Sequence, residues 1–382
     1  MTLSPSRILE VLRTFGLLGF TAFGGPTAHL GYFREEFVVR RRWLNDSDYA
    51  EVVAISQLLP GPGSSQVSMA LGYHRAGFGG LAVAWLAFTL PAAVLMAAFA
   101  LLFDSPTAGW TMGLLAAAVA VVFHAVSGMA KNMANTKITA TIAVVAGIAV
   151  LAVPSTFTHL AVILAAGVAG AILLRGGADK GEALASGIRP VPTWAGIGAL
   201  MLFAVGLIAA VLLGGFYPAF FHAGSVVFGG GHVVLPLLEQ LVVIPGWITQ
   251  TDFLAGYSAA QAVPGPMFSF ATYIGAVHGG VIGAVIATVL IFIPGALLMV
   301  AGLHFWGRWR KNQVLQAAVQ GVNSGVVGLL GAALYDPVFT HGITGIASLG
   351  ITAVCWLGLA KWKIPPWAIA VGSALAGWVL LG

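Results

Sequence analysis

The sequence predicts an all-α polytopic membrane protein, an inverted-topology repeat of two homologous halves with re-entrant or broken helices. Three observations carry this prediction. Hydrophobic residues make up 59% of the chain and charged residues only 8%, a composition that the surface of a water-soluble protein does not accommodate. A pair of motifs recurs in the second half of the chain, and equivalent loops of the two halves carry opposite charge bias.

Long apolar stretches supply the predicted spans. A helix needs about 20 apolar residues to cross the hydrocarbon core of a bilayer. The stretches with this character are residues 77–103, 108–130, 138–153, 157–174, 193–214, 279–306, 313–335, 341–359 and 365–381. Barrel strands would alternate apolar and polar residues, and the chain shows no such alternation.

Two motifs reveal an internal duplication. The first half holds Phe23-Gly24-Gly25 and Gln57-Leu58-Leu59-Pro60-Gly61-Pro62, and the second holds Phe228-Gly229-Gly230 and Gln261-Ala262-Val263-Pro264-Gly265-Pro266. The offset is 205 residues at the first motif and 204 at the second. An offset of 203 relates the later pairs Gly72/Gly275, Gly77/Gly280, Gly80/Gly283 and Pro91/Pro294. Many secondary transporters are built from such repeats, with the substrate held between them.

Loop charge predicts that the halves face opposite ways, because lysine and arginine accumulate on the cytoplasmic side. The loop at 34–42 has four arginines, whereas its counterpart at 236–252 has no basic residue. Farther along, the loop near residue 104 lacks basic residues and its counterpart at 307–312 has three. The segments that hold the two motifs must then enter and leave the membrane on one side, as re-entrant or broken helices do.

The same reading divides the chain into three parts. We expect the first repeat at residues 1–175 and the second, inverted repeat at 216–382. Residues 176–215 between them combine a linker, rich in glycine, proline and charge, with an apolar helix that crosses the membrane and inverts the second copy.

The paired motifs predict an anion site made largely of backbone donors. Pro-Gly-Pro interrupts a helix, and a new helix can start directly after it. A helix N-terminus presents unpaired N–H groups and a partial positive charge, and glycine runs supply similar donors. We expect Ser64 and Ser65 to be N-caps, with Ser269 close behind the second motif. The alternative is that these glycines and prolines only let helices pack or kink.

Nearby side chains extend the set of candidates. Gln57 and Gln261 are equivalent and donate to an oxyanion or else form an interhelical hydrogen bond. Arg75 either steers an anion or anchors its helix, and a histidine beside each glycine run is a proton site or a structural residue. The substrate-binding candidates are Gly24, Gly25, Gln57, Pro60, Gly61, Pro62, Ser64, Ser65, Arg75, Gly229, Gly230, Gly231, His232, Gln261, Pro264, Gly265, Pro266 and Ser269.

Other function classes are disfavoured. The predicted spans hold almost no carboxylate, with Glu51 the nearest exception, so an anion is a more natural cargo than a cation. The chain has no Walker motif, no paired acid and base and no cluster of metal ligands within the spans, so we expect neither an enzyme nor a cofactor. Its basic residues lie in loops that orient the protein, so we expect no nucleic-acid partner.

These motifs resemble the chromate ion transporter family in its long two-domain form. The matching elements beside the two motifs are Pro26, Trp43-Leu44, Gly72-Tyr73, Gly231-His232, Gly246-Trp247 and Gly275. The chain departs from the family pattern at Met267, where a small residue is expected, and we expect this side chain to narrow that side of the site.

The resemblance implies a secondary transporter that exports chromate across the bacterial inner membrane and confers chromate resistance. Sulfate is a chemically similar competitor, because both anions are tetrahedral dianions. A sulfate transporter, another anion transporter and an anion channel remain the alternatives. The expected environment is the lipid bilayer, and the sequence leaves open a coupling proton and a homodimer.

Overall fold

The computed structural model describes residues 5–22, 25–102, 109–153, 156–174, 187–227, 234–309 and 312–381, and within them every regular element is helical. The helices are α1 (Pro5–Thr21), α2 (Gly25–Arg34), α3 (Asp46–Leu58), α4 (Gly63–Leu102), α5 (Gly109–Met133), α6 (Lys137–Ala152), α7 (Thr156–Leu173), α8 (Thr193–Leu213), α9 (Phe216–Val226), α10 (Val234–Leu238), α11 (Gln250–Ala262), α12 (Phe270–Trp309), α13 (Gln313–Ala333), α14 (Thr340–Gly342), α15 (Ile346–Ala360) and α16 (Pro366–Leu380). Turns of π-helix follow α2, α10 and α13, and a short 3-10 turn precedes α12.

The length and composition of these helices make the chain a multi-pass membrane protein. Among the described residues, five helical stretches are long and apolar enough to cross a membrane: Gly63–Leu102, Gly109–Lys131, Thr193–Leu213, Met267–Trp306 and Gln313–Gly342. Shorter apolar helices lie in the remaining predicted spans, such as α6 and α15. The helices therefore occupy the stretches that the sequence predicts.

Each of the two longest helices, α4 and α12, is a helical hairpin. The backbone leaves helical geometry at Ala76 and Gly77 in α4 and at the equivalent glycines of α12, 203 residues later. Beyond the bend the chain folds back, because a Cβ on Gly72 would collide with the carbonyl of Gly80 and lie 2.6 Å from the Cβ of Ala84. In a straight helix, Gly72 and Gly80 would be about 12 Å apart along the axis. We call the parts before and after each bend the short arm and the long arm.

The first half contains two re-entrant segments that start and finish at one face. Trp43, just before α3, and Arg75, at the end of the α4 short arm, both contact Glu10 near the start of α1. Phe15 of α1 packs against Phe33 of α2, and Ala22, after the end of α1, contacts His29 earlier in α2, so the two helices run antiparallel. Pro-Gly-Pro is the tip of the second segment, and Ala22, directly before the Phe-Gly-Gly motif, follows the first helix of the other segment. The predicted re-entrant geometry is confirmed.

The second half repeats this arrangement at the opposite face. The positions equivalent to Trp43 and Arg75 are Trp247 and His278, and their rings meet that of Phe216, near the start of α9, with centroids 3.8–6.0 Å apart.

The directions of the long arms show the inversion. A Cβ on Gly295 of α12 would lie 2.7 Å from Pro62, and one on Gly302, two turns later, would lie 2.8 Å from Ile55 in α3. The long arm of α12 therefore runs back toward the face from which α3 enters. The long arm of α4 runs the other way, since Phe99 near its end lies 5.6 Å from Tyr273 beyond the second tip.

The two halves also interlock away from the tips. The helix α5 of the first half packs against α15 and α16, and the equivalent α13 packs against α6 and α7. Glycines allow close backbone contact in both places, as between Gly113 and Gly377 and between Gly170 and Gly321. The helix α8 lies in the predicted inverting segment, while the domain boundaries around it stay a prediction.

Candidate functional site

Each Pro-Gly-Pro tip contacts the other half of the molecule. The amide of Gly61 donates a hydrogen bond of 2.6 Å to the carbonyl of Val227, and the amide of Gly265 donates one of 2.9 Å to the carbonyl of Ala22. Val227 and Ala22 each directly precede a Phe-Gly-Gly motif. Each Pro-Gly-Pro is therefore tied to the other half's Phe-Gly-Gly segment, by equivalent bonds.

Both tips require glycine. The φ angle is +122° at Gly61 and +97° at Gly265, a region that residues with a Cβ rarely adopt. A Cβ would also lie 3.0 Å from the Cα of Gly295 in the first case and 3.2 Å from the Cβ of Ala92 in the second. Gly295 and Ala92 are themselves equivalent positions, so the close approach of tip and long arm is repeated in both halves.

At the first tip a new helix starts immediately after Pro-Gly-Pro. The carbonyl of Pro62 accepts a 2.9 Å hydrogen bond from the amide of Gln66, so α4 begins at Gly63. The prediction that Ser64 and Ser65 are N-caps is therefore wrong, because Pro62 takes that position. Both serines lie in the first turn and are buried, and the helix itself supplies no acceptor for the first-turn amides.

Gln66 holds the first tip in place. Its Nε2 donates to the carbonyl of Pro60 at 2.9 Å and to that of Gly295 at 3.2 Å, while its Oε1 has no partner among the described residues. Sequence reasoning missed Gln66, because it lies outside the repeated motif and its acceptors are distant in sequence. Its role is visible only once the two halves are brought together.

The second tip is built differently. A 3-10 turn at Met267–Ser269 follows Pro-Gly-Pro, and the amide of Ser269 donates to the carbonyl of Pro266 at 3.0 Å. Pro264, Gly265 and Pro266 are buried, as are Met267 and Phe268. The spacing from Pro-Gly-Pro to the next equivalent glycine is one residue shorter than in the first half, and the tighter turn accommodates this difference.

Other sequence-predicted residues lie close to the tips in the chain. Gln57 is exposed in the last turn of α3, Gln261 lies in the last turn of α11, and Gly25 starts α2 with a φ of +74°. Five predicted site residues lie outside the described part of the chain: Gly24, Gly229, Gly230, Gly231 and His232.

Comparison with known sequences identifies the family. The sequence profile described as "Chromate transporter" matches residues 9–171 and again residues 214–378. The chain belongs to the chromate transporter family. Its two matches lie in the two predicted repeats, so each half carries the family pattern.

Individual members of the chromate transporter family match nearly the whole chain. The chromate transport protein of Pseudomonas aeruginosa is 29% identical over 98% of this chain and 93% of its own length. The probable chromate transport protein of Synechococcus elongatus is 29% identical over 98% of this chain and 96% of its own length. The chromate transport protein of Cupriavidus metallidurans is 28% identical over 98% of this chain and 94% of its own length. No solved structure matches the chain.

Arg75 lies at a face of this chromate transporter family member, away from the tips. Its Nε and Nη2 donate to Oε2 of Glu10 at 3.0 and 2.7 Å, and its guanidinium lies 5.4 Å from the ring centroid of Trp43. The indole N–H of Trp43 donates to Oε1 of the same glutamate at 3.0 Å. Sequence reasoning missed Glu10, which lies 65 residues from its arginine partner. The three side chains together join α1, α3 and the α4 short arm.

His29 lies beside the second tip. It is fully buried, and its Nε2 lies 3.2 Å from the carbonyl of Ala22, the same oxygen that accepts from Gly265. With the proton on Nε2, the ring donates to that carbonyl and leaves Nδ1 as an acceptor without a partner among the described residues. His29 therefore contacts the same carbonyl oxygen, that of Ala22, to which Gly265 of the other half is bonded.

Proposed function

We propose that this protein is a secondary transporter that carries chromate out of the cell across the bacterial inner membrane and so confers chromate resistance. The observation that carries the proposal is the reciprocal pair of hydrogen bonds between the tips of the two halves. In a repeat transporter, a site between the halves opens alternately to each side as one half moves against the other. Membership of the family and the names of the relatives support chromate as the cargo.

The anion would be held at these tips. The proposed binding residues are those expected from sequence, centred on the two Pro-Gly-Pro turns and the glycines of the Phe-Gly-Gly motifs. Backbone amides at a helix N-terminus bind an anion without a cationic side chain. Such donors distinguish poorly between tetrahedral dianions, so we expect sulfate to compete with chromate.

The membrane potential favours export. Moving a dianion out of a cell with a negative interior releases about 4.6 kcal/mol per 100 mV, twice the value for one charge. Facilitated exit then needs no further energy source if no proton is imported. The buried ring of His29, beside the second tip, is the candidate if a proton is coupled.

The proposal is tested by measuring radiolabelled chromate flux into proteoliposomes that hold the purified protein, under an imposed potential or pH gradient. We expect uptake above that of empty liposomes, driven by a potential that is positive inside the vesicle and reduced by excess sulfate. Sulfate flux without chromate flux would instead assign the protein to sulfate. Single-channel currents would overturn the carrier mechanism in favour of a channel.

A further inference from the structure

We propose that the first half alone supplies the anion site, which lies inside the hairpin formed by α4. There the hydroxyls of Ser65 and Thr89 and the indole N–H of Trp85 join the first-turn amides of α4 to hold one tetrahedral oxyanion. This inference rests on the proposed function and narrows the anion site from the tips of both halves to the first half alone.

The first argument is a group of buried donors without partners. Ser65 is 0% exposed and Thr89 is 2% exposed, and neither hydroxyl has a hydrogen-bond partner among the described residues. The indole Nε1 of Trp85 is likewise buried and without a partner there. Buried polar groups in native proteins are normally hydrogen-bonded, and each exception needs an explanation. Three donors without partners in one hairpin indicate a ligand that accepts from all of them.

The second argument is that these donors face the same space. Trp85 and Thr89 are four residues apart in the long arm, so they lie on one face of that helix. The second hairpin gives the register between the arms, since Thr272 and Thr288 share a 2.6 Å hydrogen bond and the rings of Phe268 and Phe292 lie 6.1 Å apart. The 203-residue offset maps the threonine pair onto Met69 and Trp85, so one helical turn nearer the tip Ser65 lies opposite Thr89 across the first hairpin.

The third argument is the difference between the two hairpins. At the positions of Ser65 and Thr89, the second hairpin has two packed phenylalanine rings. At the position of Trp85 it has Thr288, whose hydroxyl is satisfied by Thr272 and by the carbonyl of Ala284. At these positions the second hairpin is filled by aromatic rings and the hydroxyls of Thr272 and Thr288 are bonded, whereas the first hairpin has three buried donors without partners among the described residues. A duplicated fold with one polar hairpin has one anion site.

The chemistry of the set suits an oxyanion. Hydroxyl and indole donors supply hydrogens from the two arms, and the first-turn amides of α4 add the partial positive charge of a helix N-terminus. A tetrahedral anion has acceptor oxygens pointing in four directions, which matches donors that come from a helix end and from both arms. Gln66 fixes the neighbouring tip and so keeps the start of α4 in place.

The test measures binding of radiolabelled chromate to the purified protein in detergent, alongside flux in proteoliposomes. We expect Ser65→Ala and Thr89→Val each to weaken binding about ten- to a hundredfold, the cost of a hydrogen bond to a charged group. The matched control is Thr288→Val, a buried threonine on the equivalent long arm, which should leave affinity within about twofold because its hydroxyl is not in the site. Thr89→Ser keeps the hydroxyl and should retain binding, and thermal unfolding of every variant reports folding.

The outcomes separate this inference from the proposed function. If the wild type binds one chromate per chain and Ser65→Ala and Thr89→Val lose this binding, the result supports both the transporter and the site in the first half. Chromate flux that persists with unchanged affinity in Ser65→Ala and Thr89→Val overturns the site in the first half and leaves the transporter, as does a stoichiometry of two. If the wild type carries sulfate instead, the same variants are measured with sulfate. A wild type that neither binds nor moves either anion overturns both proposals.

Discussion

A glycine at the tip of each Pro-Gly-Pro turn combines a positive φ angle with a close approach to the opposite half. The two demands are independent, and each excludes a larger residue at Gly61 and Gly265. Strain from a non-glycine residue in such a conformation costs on the order of 1–3 kcal/mol. Because the amide of each glycine also makes the bond between the halves, its geometry bears on transport in the proposed mechanism as well as on folding.

We therefore expect Gly61→Ala and Gly265→Ala each to lower chromate flux at least tenfold, as a shift of about 1.4 kcal/mol would, while the protein still inserts. The matched control is Gly31→Ala in α2, where an added Cβ would meet no atom within 4 Å. Flux per inserted protein in proteoliposomes is the measurement. Full activity of both tip variants would remove the Pro-Gly-Pro turns from the mechanism.

The helix breaks at these turns were predictable because proline removes a backbone donor, which is a local property. The start of α4 was not, since Pro62 takes the capping position expected for a serine. The contacts of Glu10 and Gln66 and the role proposed for Thr89 were also hidden from the sequence. Each depends on groups that are far away in the chain, and a single buried polar residue gives no local pattern.

At the level of elements, side-chain contacts hold the re-entrant segments at their outer ends, and backbone hydrogen bonds hold them at their tips. Arg75 and Glu10 join the α4 short arm to α1, with Trp43 between them. This partly buried pair gives Arg75 a structural task beside the steering role that the sequence suggested. A salt bridge that holds two helices together, here called a clamp, and a charge that steers the anion respond differently to mutation and to salt.

If the pair is a clamp, the effects of Arg75→Gln and Glu10→Gln on flux are not additive, because the double variant loses only the same contact. The control is Arg40→Gln, which removes an exposed arginine beside Glu35 and should change flux little. The measurement is the apparent KM and maximal rate at low and high salt. A rise in KM for Arg75→Gln that disappears in high salt, with additive effects, would instead make Arg75 a steering residue.

The whole molecule has the pseudo-two-fold symmetry of an inverted repeat. The sequence predicted this from loop charge, because the arginines of the first half have no counterpart in the second. The interlocking of α5 with α15 and α16 was not predictable, since apolar helices of similar composition carry no local signal for their partners. Nor did the motif pattern show that one hairpin is polar and the other filled by aromatic rings.

The inversion has a direct test on the protein with its native cysteine removed by Cys355→Ala. We expect Glu239→Cys to react with a membrane-impermeant thiol reagent from outside intact cells, and Arg41→Cys to react only after the inner face is exposed. A cysteine at Asp104, which lies outside the described residues, should behave like the one at Glu239. Reaction of all three from one side would contradict the opposite orientation of the halves.

The two outer fastenings of this symmetric fold differ in kind. One joins Glu10 to Arg75 by charge, whereas at the corresponding end of the second half the rings of Trp247 and His278 pack with that of Phe216. Added salt weakens charge pairs, whereas cooling weakens apolar association. In the proposed alternating-access cycle, added salt and cooling would therefore favour opposite conformations, so the two halves of the repeat are not interchangeable.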